Sequence, residues 1–226
     1  MSFSALLRTS AGLVAAATLA AACGQAAPKD VAAGADKDKP SVAAQADALS
    51  AKPMGEAKPG EEEGKELGNV SQELLDKLKT TDNDEEAARL EEEIWDAWLV
   101  SGSGTVDILM KRGLEYQEQE DVEGAREMFD RVIAIRPEYA EGWNRRALLF
   151  FNDGKYDEAV ADLQSTLVHE PRHFGAWIGL GMIFESIERP EAALLAYRKA
   201  LEVHPNAAAA KQGEKRLIRI VEGMPL

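Results

Sequence analysis

Three prolines, Pro137, Pro171 and Pro205, lie 34 residues apart, and the chain between them repeats in the same register. Large and small residues recur at this interval, as in Leu109, Trp143 and Trp177, in Gly113, Ala147 and Gly181, and in Ala125, Ala159 and Ala193. A fixed period in this range is typical of a solenoid of stacked helical hairpins, each of which buries its apolar face against a neighbour. The period therefore predicts an all-α fold that offers a groove for binding.

Each 34-residue unit has the pattern of two antiparallel helices. The small residues allow the two helix axes to approach closely, and each proline ends a second helix because the residue before a proline disfavours helical geometry. Pro190 is an exception, since it can open the second helix of the third unit, where its missing N–H does no harm.

The third unit resembles the tetratricopeptide repeat, through Trp177, Gly181, Phe184, Ala193, Tyr197, Ala200 and Pro205. The resemblance implies an α-solenoid of three such repeats, in which the first helix of each repeat lines a concave face. The segment Ile94–Met110 also resembles a group of poorly characterised proteobacterial periplasmic lipoproteins with these repeats.

Helical patterns flank the three repeats. Asn69 and Asp82 are predicted to cap two N-terminal helices, and Trp95 and Trp98 match positions 34 residues later in the first repeat. We therefore expect this hairpin to be a degenerate fourth repeat that caps the acidic end of the stack. A last helix, with Asn206 as its N-cap, should cover the other end. The predicted divisions are 1–22 signal peptide, 23–68 lipidated N-terminus and disordered linker, 69–105 helical hairpin, 106–139, 140–173 and 174–207 repeats, and 208–226 capping helix.

The N-terminus has the features of a secretory signal peptide: Arg8, a short apolar run and small residues before Cys23. The stretch Leu19–Gly24 resembles the lipobox of bacterial lipoproteins, although Ala20 stands where that family usually has leucine. By resemblance, Cys23 would be lipidated and would anchor the mature protein, more readily in the outer membrane than in the inner one, with the fold facing the periplasm. Conventional cleavage, giving a soluble periplasmic protein, stays open. Residues 24–68 have too few large apolar side chains to form a core.

The net charge and the lack of a catalytic residue pattern reduce the classes of function that the sequence supports. The net charge of −14 argues against a nucleic-acid-binding face. The local charge rises along the chain, from −7 over residues 70–105 to +2 over 208–226. No catalytic, cofactor or metal constellation is evident, so we expect a non-enzymatic protein. His169 shares the register of Ile135 and Val203, which indicates a half-buried packing residue, and Arg146 is expected to pair with Asp162.

The concave face implied by the resemblance gives the candidate site. Its side chains are apolar in the middle with amides and acids around them: Met110, Leu114, Gln117, Asn144, Leu148, Phe151, Asn152, Ile178, Met182 and Glu185. This pattern suits a helix or extended peptide held by apolar anchors, with Leu148 and Phe151 at the centre. The family's carboxylate-binding lysines are absent, which argues against a C-terminal carboxylate ligand.

The sequence thus predicts a scaffold or assembly factor of the bacterial envelope whose partner is an unidentified envelope protein or peptide. Two alternatives stay open: a soluble periplasmic protein whose groove holds its own terminal segment or a second copy, and an adaptor for secretion, pilus or peptidoglycan enzymes.

Overall fold

The structure is a computed structural model that describes residues 65–223, with side-chain surroundings from residue 72 onward. Cys23 and most of the predicted linker lie outside the described residues. Within this range the chain forms nine α-helices and no strands, which confirms the all-α fold class. The helices are α1 (Lys65–Thr80), α2 (Asp84–Trp98), α3 (Gly104–Glu118), α4 (Val122–Ile135), α5 (Ala140–Asn152), α6 (Tyr156–His169), α7 (Phe174–Ser186), α8 (Pro190–Val203) and α9 (Ala208–Val221).

Helices α3 to α8 form three successive hairpins that stack in chain order. The turn inside each hairpin contains one residue in the left-handed region: Glu120 (φ 60°), Gly154 (φ 72°) and Glu188 (φ 58°). These residues are 34 apart, so the backbone repeats even where the side chain does not. Pro190 is at the start of α8, which confirms its predicted role.

The small residues of the repeat fit under aromatic rings of the partner helix. A Cβ atom added to Gly181 would lie 2.6 Å from Cε1 of Tyr197, a residue that is 1% exposed. Arg146 binds both carboxylate oxygens of Asp162 at 2.7 and 2.8 Å, as predicted, and also binds Asp130. Burial alone would lower the pKa of Arg146, but the bonds to Asp162 and Asp130 raise it above its ordinary value. Close packing and the Arg146–Asp162 pair therefore hold the two helices of a repeat together, and the half-buried Arg146–Asp130 pair joins the first two repeats.

The N-terminal hairpin of α1 and α2 does not stack on the first repeat, so the predicted capping position is wrong. Its apolar side chains instead form one core cluster with Phe174 of α7 and Val203 of α8. The members from the hairpin are Leu75, Leu78, Ala87, Leu90, Ile94 and Trp98. The hairpin buries its apolar stripe against Phe174 and Val203 of the third repeat, whereas the side chains of α3 that stay exposed are mostly polar.

Helix α2 runs across the turns between repeats. Its N-terminal part lies near the end of the third repeat, and its C-terminal end lies near the start of the second repeat. The carbonyl of Trp98 accepts a bond from the Tyr139 hydroxyl at 2.7 Å, near the start of the second repeat. Glu91 lies 3.2 Å from His204, and the Thr81 carbonyl accepts from the Asn206 amide at 3.3 Å, both at the end of the third repeat. The hairpin therefore ties all three repeats together.

Three predicted helix caps are wrong in detail. Helix α1 begins at Lys65, so Asn69 lies inside it, and the N-cap of α2 is Asn83 rather than Asp82. Asn83 accepts bonds from two backbone N–H groups of α2, at 2.9 and 3.1 Å. Asn206 binds Thr81 and Lys211 instead of capping α9, because the hairpin that approaches it supplies a competing partner.

His169 is exposed rather than half-buried. Its register partner Ile135 is also 53% exposed, whereas Val203 is 8% exposed. The difference has a direct cause, since α1 and α2 pack over Val203 and leave the other two positions open.

Candidate protein-binding groove

The first helices of the repeats, α3, α5 and α7, present four rows of side chains on one side, which we call the inner face. Each row contains three residues at 34-residue intervals. From the start of the helices towards their ends, the rows are Asp107, Glu141 and Gly175; Met110, Asn144 and Ile178; Leu114, Leu148 and Met182; and Gln117, Phe151 and Glu185. The first two rows form the covered half, and the last two form the open half.

Helix α2 lies on the covered half. A Cβ atom on Gly175 would be 2.6 Å from Cη2 of Trp95, so the glycine is required for this close approach. Ile178 packs on the same cluster as Leu90 and Ile94. At the other end, Asp107 accepts bonds from the Ser101 backbone N–H at 2.9 Å and from its hydroxyl at 2.5 Å.

A charged network lies buried beneath the hairpin. Glu141, which is 1% exposed, accepts a bond from the Nε of Arg145 at 2.5 Å. His173 accepts the Ala176 N–H at its Nδ1, so its Nε2 carries the proton and donates it to Glu141 at 3.1 Å. Burial alone would raise the pKa of Glu141, but Arg145 and His173 hold it below its ordinary value. The network therefore keeps a buried carboxylate ionised.

Aromatic rings seal this network. The ring of Trp98 lies parallel to His173, and Trp95 meets His173 and Phe174 edge to face with centroids 5.4 Å apart. The guanidinium of Arg145 lies 5.8 Å from the Trp95 ring centroid. Tyr139 closes one side, and burial raises its pKa above the ordinary value. Because Glu141, Arg145 and His173 bind one another and lie under aromatic rings, the covered half is part of the folded core, although the buried Nε1 of Trp98 has no hydrogen-bond partner among the described residues.

The open half is different in character. Leu114, Leu148 and Phe151 are half-buried, and Asn152 beside them is exposed. Phe151 contacts the Tyr156 ring at a centroid distance of 6.0 Å. Gln117 places an Oε1 atom in this half that is buried and has no hydrogen-bond partner among the described residues. Apolar side chains that keep some exposure next to amides can take a ligand.

The tetratricopeptide repeat family model matches residues 110–168 and 146–211. A TPR repeat-containing protein of Rhizobium etli is 33% identical over 150 residues, which are 66% of this chain and 74% of that protein. This chain belongs to the tetratricopeptide repeat family. Protein bimA of Emericella nidulans is 26% identical over 56% of this chain, but the match spans only 15% of bimA.

Solved structures agree with this assignment at the level of the fold. The Arabidopsis OM64 TPR domain has a TM-score of 0.50 at 20% identity, covering 52% of this chain and 97% of that domain. The first TPR of Spaghetti (RPAP3), bound to an HSP90 peptide, has a TM-score of 0.50 at 19% identity, covering 52% of this chain and 93% of that one. Tetratricopeptide repeat proteins typically mediate protein–protein interactions and are usually non-catalytic.

The ten predicted groove residues have different surroundings in this tetratricopeptide solenoid. Five lie in or beside the open half and keep some exposure: Leu114, Gln117, Leu148, Phe151 and Asn152. Met110 is a core residue at 2% exposure, packed with Val106 and Phe129. Asn144 donates to Glu141 at 3.1 Å, and Ile178 is packed under the hairpin.

The remaining two predicted residues, Met182 and Glu185, lie at the third repeat. Met182 is 8% exposed. Glu185 accepts a bond from the Tyr197 hydroxyl at 2.6 Å and pairs with Arg216 of α9 at 2.9 Å. The accessible apolar part of the groove is therefore concentrated on the first two repeats.

The buried trio of Glu141, Arg145 and His173 was not predicted from the sequence. A signal was present, because Glu141 and Arg145 are four residues apart on one helix face.

Among the residues the structure describes, no group of three or more His, Cys, Asp or Glu side chains is arranged to hold a metal ion. None of the helices in residues 65–223 is long and apolar enough to cross a membrane.

Proposed function

We propose that this protein is a non-catalytic interaction scaffold that binds a peptide or protein segment on the open half of its inner face. The observation that carries the proposal is the set of half-buried side chains Leu114, Leu148 and Phe151, which remain accessible although α2 covers the rest of the face. Central apolar anchors of this kind usually dominate the binding energy of an interface.

The same geometry disfavours a carboxylate-ended ligand. Arg145 lies in the network beneath the covered half, where it is 7% exposed and already bound to Glu141. Breaking that pair to bind a ligand would leave a buried charge uncompensated, which costs several kcal/mol, roughly 3–5. Binding through apolar anchors needs no such rearrangement.

We further propose that the scaffold works in the bacterial envelope, held at a membrane through a lipid on Cys23 and facing the periplasm. The support is the signal-peptide pattern and lipobox resemblance of residues 1–24. One acyl chain anchors a protein only marginally, whereas two or three give stable attachment. The low-complexity residues 24–64 would then allow the solenoid to reach partners at a distance from the bilayer.

Site-specific photocrosslinking in cells that make the protein tests the binding proposal. A photoreactive phenylalanine analogue at position 151 should capture a partner, because the side chain lies in the open half. The matched control places the same group at Glu127, an exposed residue of the second helix of the first repeat. Equal capture from both positions, or none from position 151, would contradict the proposal.

A further inference from the structure

We infer that the open half takes a cationic amphipathic helix from a separate partner protein. This inference rests on the proposed function and adds the chemistry of the partner to it. The inference rests on three observations. Helix α2 packs across the covered half, acidic side chains lie beside the open half, and the cationic side chains of α9 are partly engaged within the chain.

Helix α2 shows that the inner face accepts an amphipathic helix laid across the repeats. Its apolar side chains Leu90, Ile94 and Trp98 recur every four residues and belong to the cluster against which Ile178 of the inner face packs. The open half continues along the same three helices, one to two helical turns further towards their C-terminal ends. A second helix can therefore lie beside α2 and place its apolar stripe on Leu114, Leu148 and Phe151.

The charge beside the open half selects the partner. At the C-terminal ends of α3, α5 and α7 lie the turns inside each hairpin, residues 118–123, 152–158 and 185–191, which we call the turn edge. These three stretches contain ten acidic and two basic side chains, a formal charge of −8. Glu118, Glu120 and Asp121 of the first turn are all exposed. A helix whose polar side carries lysine or arginine would be steered to this edge.

At the covered half the charges are reversed, because an acidic helix lies near basic side chains of the repeats. Helix α2 carries seven acidic side chains and one basic one. Its Glu91 contacts His204, and Asp76 of the preceding α1 pairs with Arg172 at 2.7 Å. The protein thus places its own acidic hairpin at the end of the inner face that offers Arg and His. An acidic ligand would meet the turn edge unfavourably, since like charges at an interface are disfavoured.

A second copy of this chain is a weaker fit for the same surface. Helix α9 has a cationic side with Lys211, Lys215, Arg216 and Arg219. Two of these cations are already engaged, because Lys211 binds Asn206 and Arg216 binds Glu185. The outer side of α9 exposes one large apolar residue, Ile220 at 67%. One such residue cannot fill positions spread over two repeats, so we assign the surface to a different protein.

Two designed peptides test the inference with the full chain. Both are amphipathic helices about four turns long, with leucines in the same stripe, and they differ only in having lysine or glutamate at the polar positions. The lysine peptide should bind, and its affinity should fall steeply towards 1 M salt, where the Debye length is about 3 Å. Glu118→Gln with Glu120→Gln should weaken it roughly three- to tenfold.

The matched control neutralises two exposed carboxylates on second helices, Glu127→Gln with Glu202→Gln, and should change the affinity less than about twofold. Phe151→Ala should weaken the lysine peptide in either background. Binding of the glutamate peptide that depends on Phe151 would overturn the inference while leaving the proposed function intact. If neither peptide binds, the inference is also overturned. The proposed function is then tested separately by photocrosslinking from position 151 in cells. If the chain self-associates and Arg219→Glu abolishes this self-association, the occupant of the open half is a second copy and not a separate partner, which overturns the inference.

Discussion

Trp98 and His173 lie ring on ring, with centroids 4.0 Å apart and planes inclined by 12°. The first belongs to the N-terminal hairpin and the second caps the first helix of the third repeat, where its Nδ1 accepts the Ala176 N–H. This ring stack joins the N-terminal hairpin of α1 and α2 to the repeats. It also covers the pair of His173 and Glu141, so packing and buried charge depend on the same contact.

Trp98→Ala should lower the free energy of unfolding by about 3–5 kcal/mol, since it removes a buried ring and leaves a cavity. The variant should also be cut faster by protease between α2 and α3, because the hairpin is held less firmly. Chemical denaturation and limited proteolysis measure both effects. Ile108→Ala, at a position that is 59% exposed, is the control and should change stability by less than about 0.5 kcal/mol. Equal effects of the two variants would contradict the role of the stack.

Glu141→Gln should change the pH dependence of stability. A glutamate has a pKa of about 4.3 in an unfolded chain, and the pKa of Glu141 in the fold lies below its ordinary value. Its contribution is therefore complete above the unfolded pKa and is lost as the pH falls through the folded pKa. The variant should be less stable at pH 7, by about 3 kcal/mol, because Arg145 loses its charged partner. Its stability should then fall less steeply below pH ~4 than that of the wild type.

Unfolding measured at a series of pH values gives this comparison directly. Glu138→Gln is a suitable control, because Glu138 is exposed and forms a surface pair with Arg136. That variant should follow the wild-type curve. An identical acid dependence in Glu141→Gln and the wild type would show that Glu141 is not held ionised by the fold.

The left-handed turn residues give a prediction about strain. Glu120 and Glu188 adopt positive φ where the middle repeat has Gly154. A non-glycine residue in this region crowds its Cβ against the following carbonyl, so Glu120→Gly and Glu188→Gly should each stabilise the fold by ~0.5–1 kcal/mol. Gly154→Ala should destabilise it by a similar amount. Melting temperatures of the three variants test the set, and a loss of stability in both glycine variants would contradict it.

The predicted lipid on Cys23 has its own test. The wild-type protein should incorporate labelled fatty acid and partition into detergent, and Cys23→Ser should do neither, because the thiol is the predicted attachment atom. Radiolabelling and phase separation of the two proteins measure this. A Cys23→Ser protein that stays labelled and membrane-bound would remove the anchor from the account.

The fold was predictable because its signal is local. Each repeat places large, small and proline residues at the same spacing, and the resulting hairpins need only their neighbours. The position of the N-terminal hairpin was not predictable in this way. Its apolar stripe identified a buried face through Trp95 and Trp98, but a stripe does not say which surface it meets. The match of Trp95 to Phe129 in register suggested stacking on the first repeat, whereas Phe174 and Val203 supply the actual contact.

The positions of the candidate-site residues were predictable from the sequence, but their exposure was not. Row positions along α3, α5 and α7 follow from the repeat, and the resemblance to tetratricopeptide repeats implied which side of these helices lines the groove. The exposure of these residues could not be predicted, because it depends on α2. Ile178 is covered by that helix, whereas Phe151 remains half-buried near Tyr156.

Phe151→Ala shows whether the open half binds a partner, in a paired measurement of affinity and melting temperature. The partner is the protein captured by crosslinking at position 151. Binding should weaken by about 2 kcal/mol, roughly 30-fold in Kd. The melting temperature should stay within a few degrees of the wild type, because the ring is only half-buried. Unchanged affinity, or a large loss of stability that accompanies weaker binding, would contradict binding at the open half.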